Sequence, residues 1–117
     1  MSQLTTHILD TTKGKPASGV TIFLFEQDPV DPVTVGWRQI AIGSTDEDGR
    51  ISNLLNEGVI LESGTYKMKF ETKEYFEKQG LQTFYPFVEI TFIISGSEHY
   101  HVPLLLNPFG YSTYRGS

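Results

Sequence analysis

Apolar and polar positions alternate with a period of two along most of the chain, the pattern of strands that bury one face and wet the other. Such runs, rich in β-branched and aromatic residues, predict strands over residues 4–10, 21–27, 37–45, 65–71, 87–94, 100–106 and 111–114, with a short eighth at 51–54. Turn clusters separate them: Lys13-Gly14-Lys15-Pro16, Asp28-Pro29-Val30-Asp31-Pro32, Asp46-Glu47-Asp48-Gly49, Ser95-Gly96-Ser97 and Asn107-Pro108. Regular spacing of this kind predicts an all-β sandwich of two sheets with about eight strands. In one run, Phe23 and Phe25 alternate with Ile22 and Leu24. That strand is apolar on both faces, so both need cover, and one is a candidate contact between copies of the chain. A single short helix fits residues 72–79, with Thr72 as N-cap, Glu74 and Lys78 as an i,i+4 pair and Gly80 just past the end.

A length of 117 residues supports one domain, spanning 1–117, and suffices for a core without covalent staples. With 38% hydrophobic and 20% charged residues the chain has the composition of an ordinary globular protein. The net charge of −5 opposes binding to nucleic acid or an anionic membrane surface. The absence of cysteine excludes disulfides, thiolate metal sites and a cysteine nucleophile. No apolar run reaches 18 residues, so no membrane span is predicted. MSQLTTHILD lacks both a cationic and an apolar leader region, and a cytoplasmic location is the expectation.

Several motifs fail on inspection. Asp46, Asp48 and Glu57 stand at positions one, three and twelve of a calcium loop, but Arg50 and Ile51 occupy positions five and six, where a ligand and a glycine are needed. That leaves a hairpin turn. Gly110-Tyr111-Ser112-Thr113-Tyr114 lacks the second glycine of a nucleophile elbow, and Gly14-Lys15 lacks the upstream glycine of a phosphate loop. The histidines are more informative. His7 falls inside the first strand, and His99 and His101, two apart on a late strand, share a face. A solvated sheet face accounts for such residues. Three imidazoles are also a set that zinc accepts, although no carboxylate that would orient them can be named from sequence.

The last stretch, Tyr100-His101-Val102-Pro103-Leu104-Leu105-Leu106-Asn107-Pro108-Phe109-Gly110-Tyr111-Ser112-Thr113-Tyr114-Arg115-Gly116-Ser117, closely resembles the C-terminal signature of the transthyretin-related 5-hydroxyisourate hydrolases, whose chains end in Tyr-Arg-Gly-Ser. Leu4-Thr5-Thr6-His7-Ile8-Leu9-Asp10 followed by Gly14-Lys15-Pro16-Ala17 is similar to that family's opening strand and turn, and Thr45-Asp46-Glu47-Asp48-Gly49-Arg50-Ile51 to its central arginine motif. The three motifs span the chain in the family's order.

The resemblance implies a transthyretin-like sandwich assembled as a homotetramer of paired dimers, with sites in the channel between dimers. It implies hydrolysis of a purine-derived small molecule, 5-hydroxyisourate, to 2-oxo-4-hydroxy-4-carboxy-5-ureidoimidazoline, by opening a cyclic amide in urate breakdown. It implies neither cofactor nor metal. The family's functional positions fall on His7, Arg50, His101 and the terminal Tyr114, Arg115, Gly116 and Ser117. His7, Arg50, His101 and Ser117 are the expected catalytic set, and His7, Arg50, Tyr114 and Arg115 the expected substrate contacts. An imidazole near its ordinary pKa suits proton abstraction from water, and a guanidinium suits developing negative charge. Sequence does not say which histidine is the base; the favoured division sets His7 to work with Ser117 and His101 against the scissile amide or the attacking water. His99 lies outside the motif and is read as a solvated neighbour. The competing expectation is a non-catalytic small-molecule carrier on the same fold; the resemblance implies that the carrier branch has lost the histidines, the arginine and the terminal signature.

Overall fold

The computed structural model describes residues 2–29 and 35–116 and consists of two packed β-sheets and one short helix. Strands β1 (Leu4–Asp10), β2 (Lys15–Pro16), β3 (Thr21–Pro29), β4 (Val35–Ser44), β5 (Arg50–Ile51) and β6 (Gly64–Phe70) precede helix α1 (Thr72–Glu77). Strands β7 (Val88–Ile94), β8 (Tyr100–Asn107) and β9 (Gly110–Thr113) follow it. One sheet runs β2-β1-β8-β9, with β5 sharing with β2 the edge of β1 that faces away from β8, and the other runs β4-β3-β6-β7. The pair β1–β8 is parallel, and every other pair in the two sheets is antiparallel.

Alternation decides what lies between the sheets. Leu4, Ile8, Leu104 and Leu106 project inward from one sheet and Ile22, Leu24, Met68, Phe70 and Val88 from the other, all buried. Phe76 closes the core from α1, and the Tyr75 hydroxyl donates a 2.8 Å hydrogen bond to the buried Asp10 carboxylate, tying the helix to β1. That carboxylate also accepts the backbone N–H groups of Thr12 and Lys13, so three donors offset its burial. Next to Asp10, burial and the hydrogen bond push the Tyr75 phenol up to about 12.

Most predicted strands stand within one or two residues of their observed limits, and the corrections have local causes. The Lys15–Pro16 turn contributes a ninth strand, because its backbone pairs with Leu9 and Asp10. Thr72 is not the N-cap. Glu71 holds that position, without a side-chain capping bond, because its own N–H donates to the Thr21 carbonyl and keeps it in register with β3. Thr72 is buried instead, with its hydroxyl unpaired among the described residues. The helix ends at Glu77 rather than residue 79, followed by turn bonds to Gln79 and Gly80, whose φ of 72° needs a glycine. The Glu74–Lys78 pair forms at 3.3 Å.

Asp46–Arg50 is a tight turn but not a hairpin, since β4 and β5 belong to different sheets and the turn carries the chain across the sandwich edge. Phe23 and Phe25 do face away from the core. Within the chain they stack on each other at 6.3 Å, and Lys67 lies 5.4 Å from the Phe25 ring and 4.4 Å from that of Trp37, so the chain's own side chains partly cover this face. The turn expected at 28–32 falls largely outside the described residues.

Candidate active site

The site is a consequence of strand period and register. On β1, Leu4, Thr6, Ile8 and Asp10 are buried, which turns Thr5, His7 and Leu9 to the outer face. Parallel β8 sets Thr5 opposite His101 and His7 opposite Pro103, and β5 brings Arg50 opposite His7 from the other edge. His7, Arg50 and His101 therefore converge on one outer sheet face although 94 residues separate the two histidines.

Arg50 is held there by its turn. The Asp46 carboxylate accepts the backbone N–H groups of Asp48 at 2.8 Å and Arg50 at 3.1 Å, while Gly49 adopts a φ of 72° and its carbonyl accepts the Ile8 N–H at 2.8 Å. A Cβ on Gly49 would collide with the Ile8 carbonyl oxygen. Only glycine lets the turn lie this close to β1, and the next residue is the arginine.

Thr5, Thr6, Arg50, Ile51, Ser52, His99 and His101 line an open cleft of about 460 Å³. Within it the Thr5 hydroxyl lies 2.8 Å from His101 Nδ1 and 3.0 Å from His99 Nε2. The His101 imidazole is held below its ordinary pKa, first by burial and then by the Arg50 guanidinium, with electrostatic coupling to His99 and His7 acting in the same direction. The shift favours the neutral ring, the form in which a ring nitrogen can accept a proton.

The tail closes against the same histidine. Gly116 bridges to His101, its N–H donating to the His101 carbonyl at 2.8 Å, and a Cβ at Gly116 would lie 2.5 Å from the His101 ring and 3.2 Å from Pro103. Pro103 explains itself here. Its carbonyl accepts the Thr113 hydroxyl at 2.7 Å, so the donor it lacks would have pointed at the gap between the end of β9 and the Gly116 bridge. Asn107 likewise accepts the Phe109 N–H at 2.9 Å and fixes the β8–β9 turn.

Of the residues expected at the site, Arg50 and His101 line the cleft, and His7 stands on the same sheet face opposite Arg50 without lining it. Tyr114 and Arg115 face a separate hollow of about 330 Å³ beside β7 that shares only His101 with the cleft. Arg115 pairs with Glu98 at 3.0 Å and lies 4.5 Å from the Tyr100 ring, drawing the Glu98 carboxyl below its usual range. Ser117 lies outside the described residues. Among the described residues no three histidine or carboxylate side chains converge as a metal-binding group. Five residues of the cleft lie outside the expected set, Thr5, Thr6, Ile51, Ser52 and His99, and two of them, Thr5 and His99, touch the site's chemistry. Thr5 carries a detectable signal, being two before His7 and hence on its face. His99, read as a solvated neighbour, is drawn into the cleft by Thr5, a contact visible only once β1 and β8 are paired in parallel.

A profile of the HIUase/Transthyretin family matches residues 4–116. The chain belongs to that family. Among curated HIUase/Transthyretin relatives, the 5-hydroxyisourate hydrolase of Salmonella dublin is 50% identical over 97% of this chain and 80% of its own. Among solved structures, sea bream transthyretin in complex with thyroxine superposes with a TM-score of 0.88 at 37% identity, covering 98% of this chain and 95% of that one. Klebsiella pneumoniae 5-hydroxyisourate hydrolase superposes with a TM-score of 0.84 at 35% identity, covering 99% and 100%. Backbone shape alone does not separate hydrolase from carrier, so the side chains of the cleft must.

Proposed function

We propose that the protein hydrolyses 5-hydroxyisourate by opening its cyclic amide. The observation that carries this reading is the convergence of His7, Arg50 and His101 on one sheet face, in a chain half identical to a curated hydrolase of that substrate. A carrier cleft needs no proton acceptor; this one holds an imidazole whose surroundings favour its neutral form, with an arginine in the same cleft.

Water attacks the amide carbonyl carbon as one imidazole takes its proton. Arg50 holds the oxyanion through a rigid, permanently charged fork. The carbon–nitrogen bond then breaks as the departing nitrogen takes back the proton held by the imidazole, and the carboxylic acid formed loses its proton to solvent, leaving a carboxylate and an opened ring. His7 and His101 divide the proton transfer and the substrate contact between them and Ser117 completes the site, whereas Tyr114 and Arg115, turned to the neighbouring hollow, are expected to serve the site of a neighbouring copy. Because the cleft is open and Arg115 is turned from it, a further copy of the chain is expected to wall it in, in a homotetramer. Exposed Ile93 on β7 and Tyr111 on β9, at the free edges of the two sheets, support pairing between copies. No cofactor takes part, and a cytoplasmic setting fits urate breakdown.

The test is the decay of ultraviolet absorbance of freshly generated 5-hydroxyisourate with and without the protein. A decay rate unchanged by the protein would reject the hydrolase reading in favour of the carrier, and sedimentation at micromolar concentration showing only a 13.2 kDa species would reject the tetramer.

A further inference from the structure

The Thr5 hydroxyl sits between two imidazole nitrogens, 2.8 Å from His101 Nδ1 and 3.0 Å from His99 Nε2. A hydroxyl has one proton to donate and lone pairs to accept with. It cannot donate to both nitrogens at once. If both were bare, one contact would set lone pair against lone pair. Both contacts are good, with the hydroxyl proton used, only when one facing nitrogen is protonated and the other bare. The two rings, separated by one residue along the chain, therefore have linked tautomers: both carry their proton on Nδ1 or both carry it on Nε2.

The cleft selects between these. Arg50 lines the cleft together with His101, His7 stands opposite Arg50 on the same sheet face, and Gly116 packs against the Cδ2 edge of the His101 ring from the tail. A guanidinium charge in the same cleft favours a bare nitrogen with its lone pair outward over an N–H dipole pointing the wrong way. We propose that Thr5 and His99 are positioning residues that hold His101 as the Nδ1–H tautomer: Nδ1–H donates to Thr5, the Thr5 hydroxyl donates to His99 Nε2, and His101 Nε2 is left bare as the proton acceptor of the cleft. This rests on the hydrolase reading for its catalytic meaning. When Nε2 takes a proton from water, the Nδ1 proton can pass to Thr5 as the hydroxyl proton passes to His99 Nε2. His101 then carries its proton on Nε2 and the positive charge rests on His99; as the departing nitrogen takes the Nε2 proton the relay runs back, His99 Nε2 returning its proton to Thr5 and Thr5 passing one to His101 Nδ1, which restores the resting tautomer. Every proton is conserved, and no other reactant is needed.

The test uses the full chain with Thr5→Val, which keeps the branched shape but removes the hydroxyl, with Thr5→Ser, which restores it, and with His99→Asn. Imidazole nitrogen-15 shifts of the resting protein should show Nδ1–H on both His99 and His101, and Thr5→Val should lose that state while Thr5→Ser keeps it. Turnover of 5-hydroxyisourate should fall at least about tenfold in Thr5→Val with KM little changed, because a wrong tautomer removes the acceptor without removing the cleft. Thr5→Ser should recover most of it. The double variant Thr5→Val with His99→Asn should be no worse than the more damaged single one, since either break interrupts the same chain. Nε2–H on His101 in the resting protein, or a Thr5→Ser variant as impaired as Thr5→Val, would overturn the assignment. If the wild-type protein itself failed to hydrolyse the substrate, the functional reading would fall, and the nitrogen shifts would still decide the tautomer.

Discussion

Replacing Gly116 by alanine tests the coupling between the tail and His101 with a single methyl group. The added Cβ would stand 2.5 Å from His101 Cδ2, 3.2 Å from Pro103 Cγ and 3.3 Å from His101 Cγ. Carbon atoms prefer a separation of about 3.5–4.0 Å, so ring and tail must part by about 1 Å. The ring is held from the other side by its 2.8 Å contact with Thr5, and the tail by the 2.8 Å bond from Gly116 N–H to the His101 carbonyl. Whichever yields, the site loses either the set of His101 or the seat of the terminal residues. A misplacement of about 1 Å at a reacting group costs on the order of a hundredfold, so turnover should fall by about ten- to a hundredfold. Stability should change by no more than about 1.5 kcal/mol, the worth of one hydrogen bond outside the core. The absorbance assay gives the first quantity and thermal denaturation the second. Gly110→Ala is the control on the neighbouring strand, where an added Cβ meets nothing closer than 3.8 Å. Wild-type turnover in Gly116→Ala would show that the tail does not hold the histidine, and the reasoning from its packing would fail.

Removing either imidazole, by His7→Ala or His101→Ala, should lower turnover at least about a hundredfold with folding retained; near-normal rates in both would sink the histidine mechanism. Because burial and the Arg50 guanidinium hold His101 below its ordinary pKa, kcat/KM should stay level as pH falls to that ordinary value and drop only below it. Arg50→Ala, which removes that charge, should move this acid limb upward, and a wild-type limb lying above the ordinary histidine pKa would contradict the environment described for His101. The same shift means that the unfolded chain binds the proton first, so stability should decline as pH falls from the ordinary value to the folded one. Thr72→Val deletes a buried hydroxyl that has no partner among the described residues and should leave the melting temperature unchanged or raised; a loss above about 1 kcal/mol would mean that the hydroxyl is bonded after all.

Most of the sandwich follows from local pattern, because alternation along a strand is fixed by backbone geometry and the buried set of β1, β6 and β8 is written directly into residue order. Turn residues with positive φ, such as Gly49 and Gly80, are legible for the same reason. Helix limits were less so. Thr72 is a good N-cap by residue type, but the bond from Glu71 to Thr21 on a neighbouring strand moved the cap by one position. The sequence predicts a hairpin at Asp46–Arg50 because it shows a turn without showing that its two strands enter different sheets.

The sequence determined which residues carry chemistry: His7, Arg50 and His101 stand out by type and by the motifs around them. It did not determine their company. The parallel pairing of β1 with β8 joins the first strand to one that begins about ninety residues later, and local propensity contains no term for so distant a register. That pairing sets Thr5 beside His101 and draws in His99, gives Pro103 a place where a missing donor costs nothing, and brings Gly116 against the imidazole, where no side chain fits. The chain's own order supplied the reactive groups. Long-range strand register, selected by burial of the opposite faces, decided which of them touch.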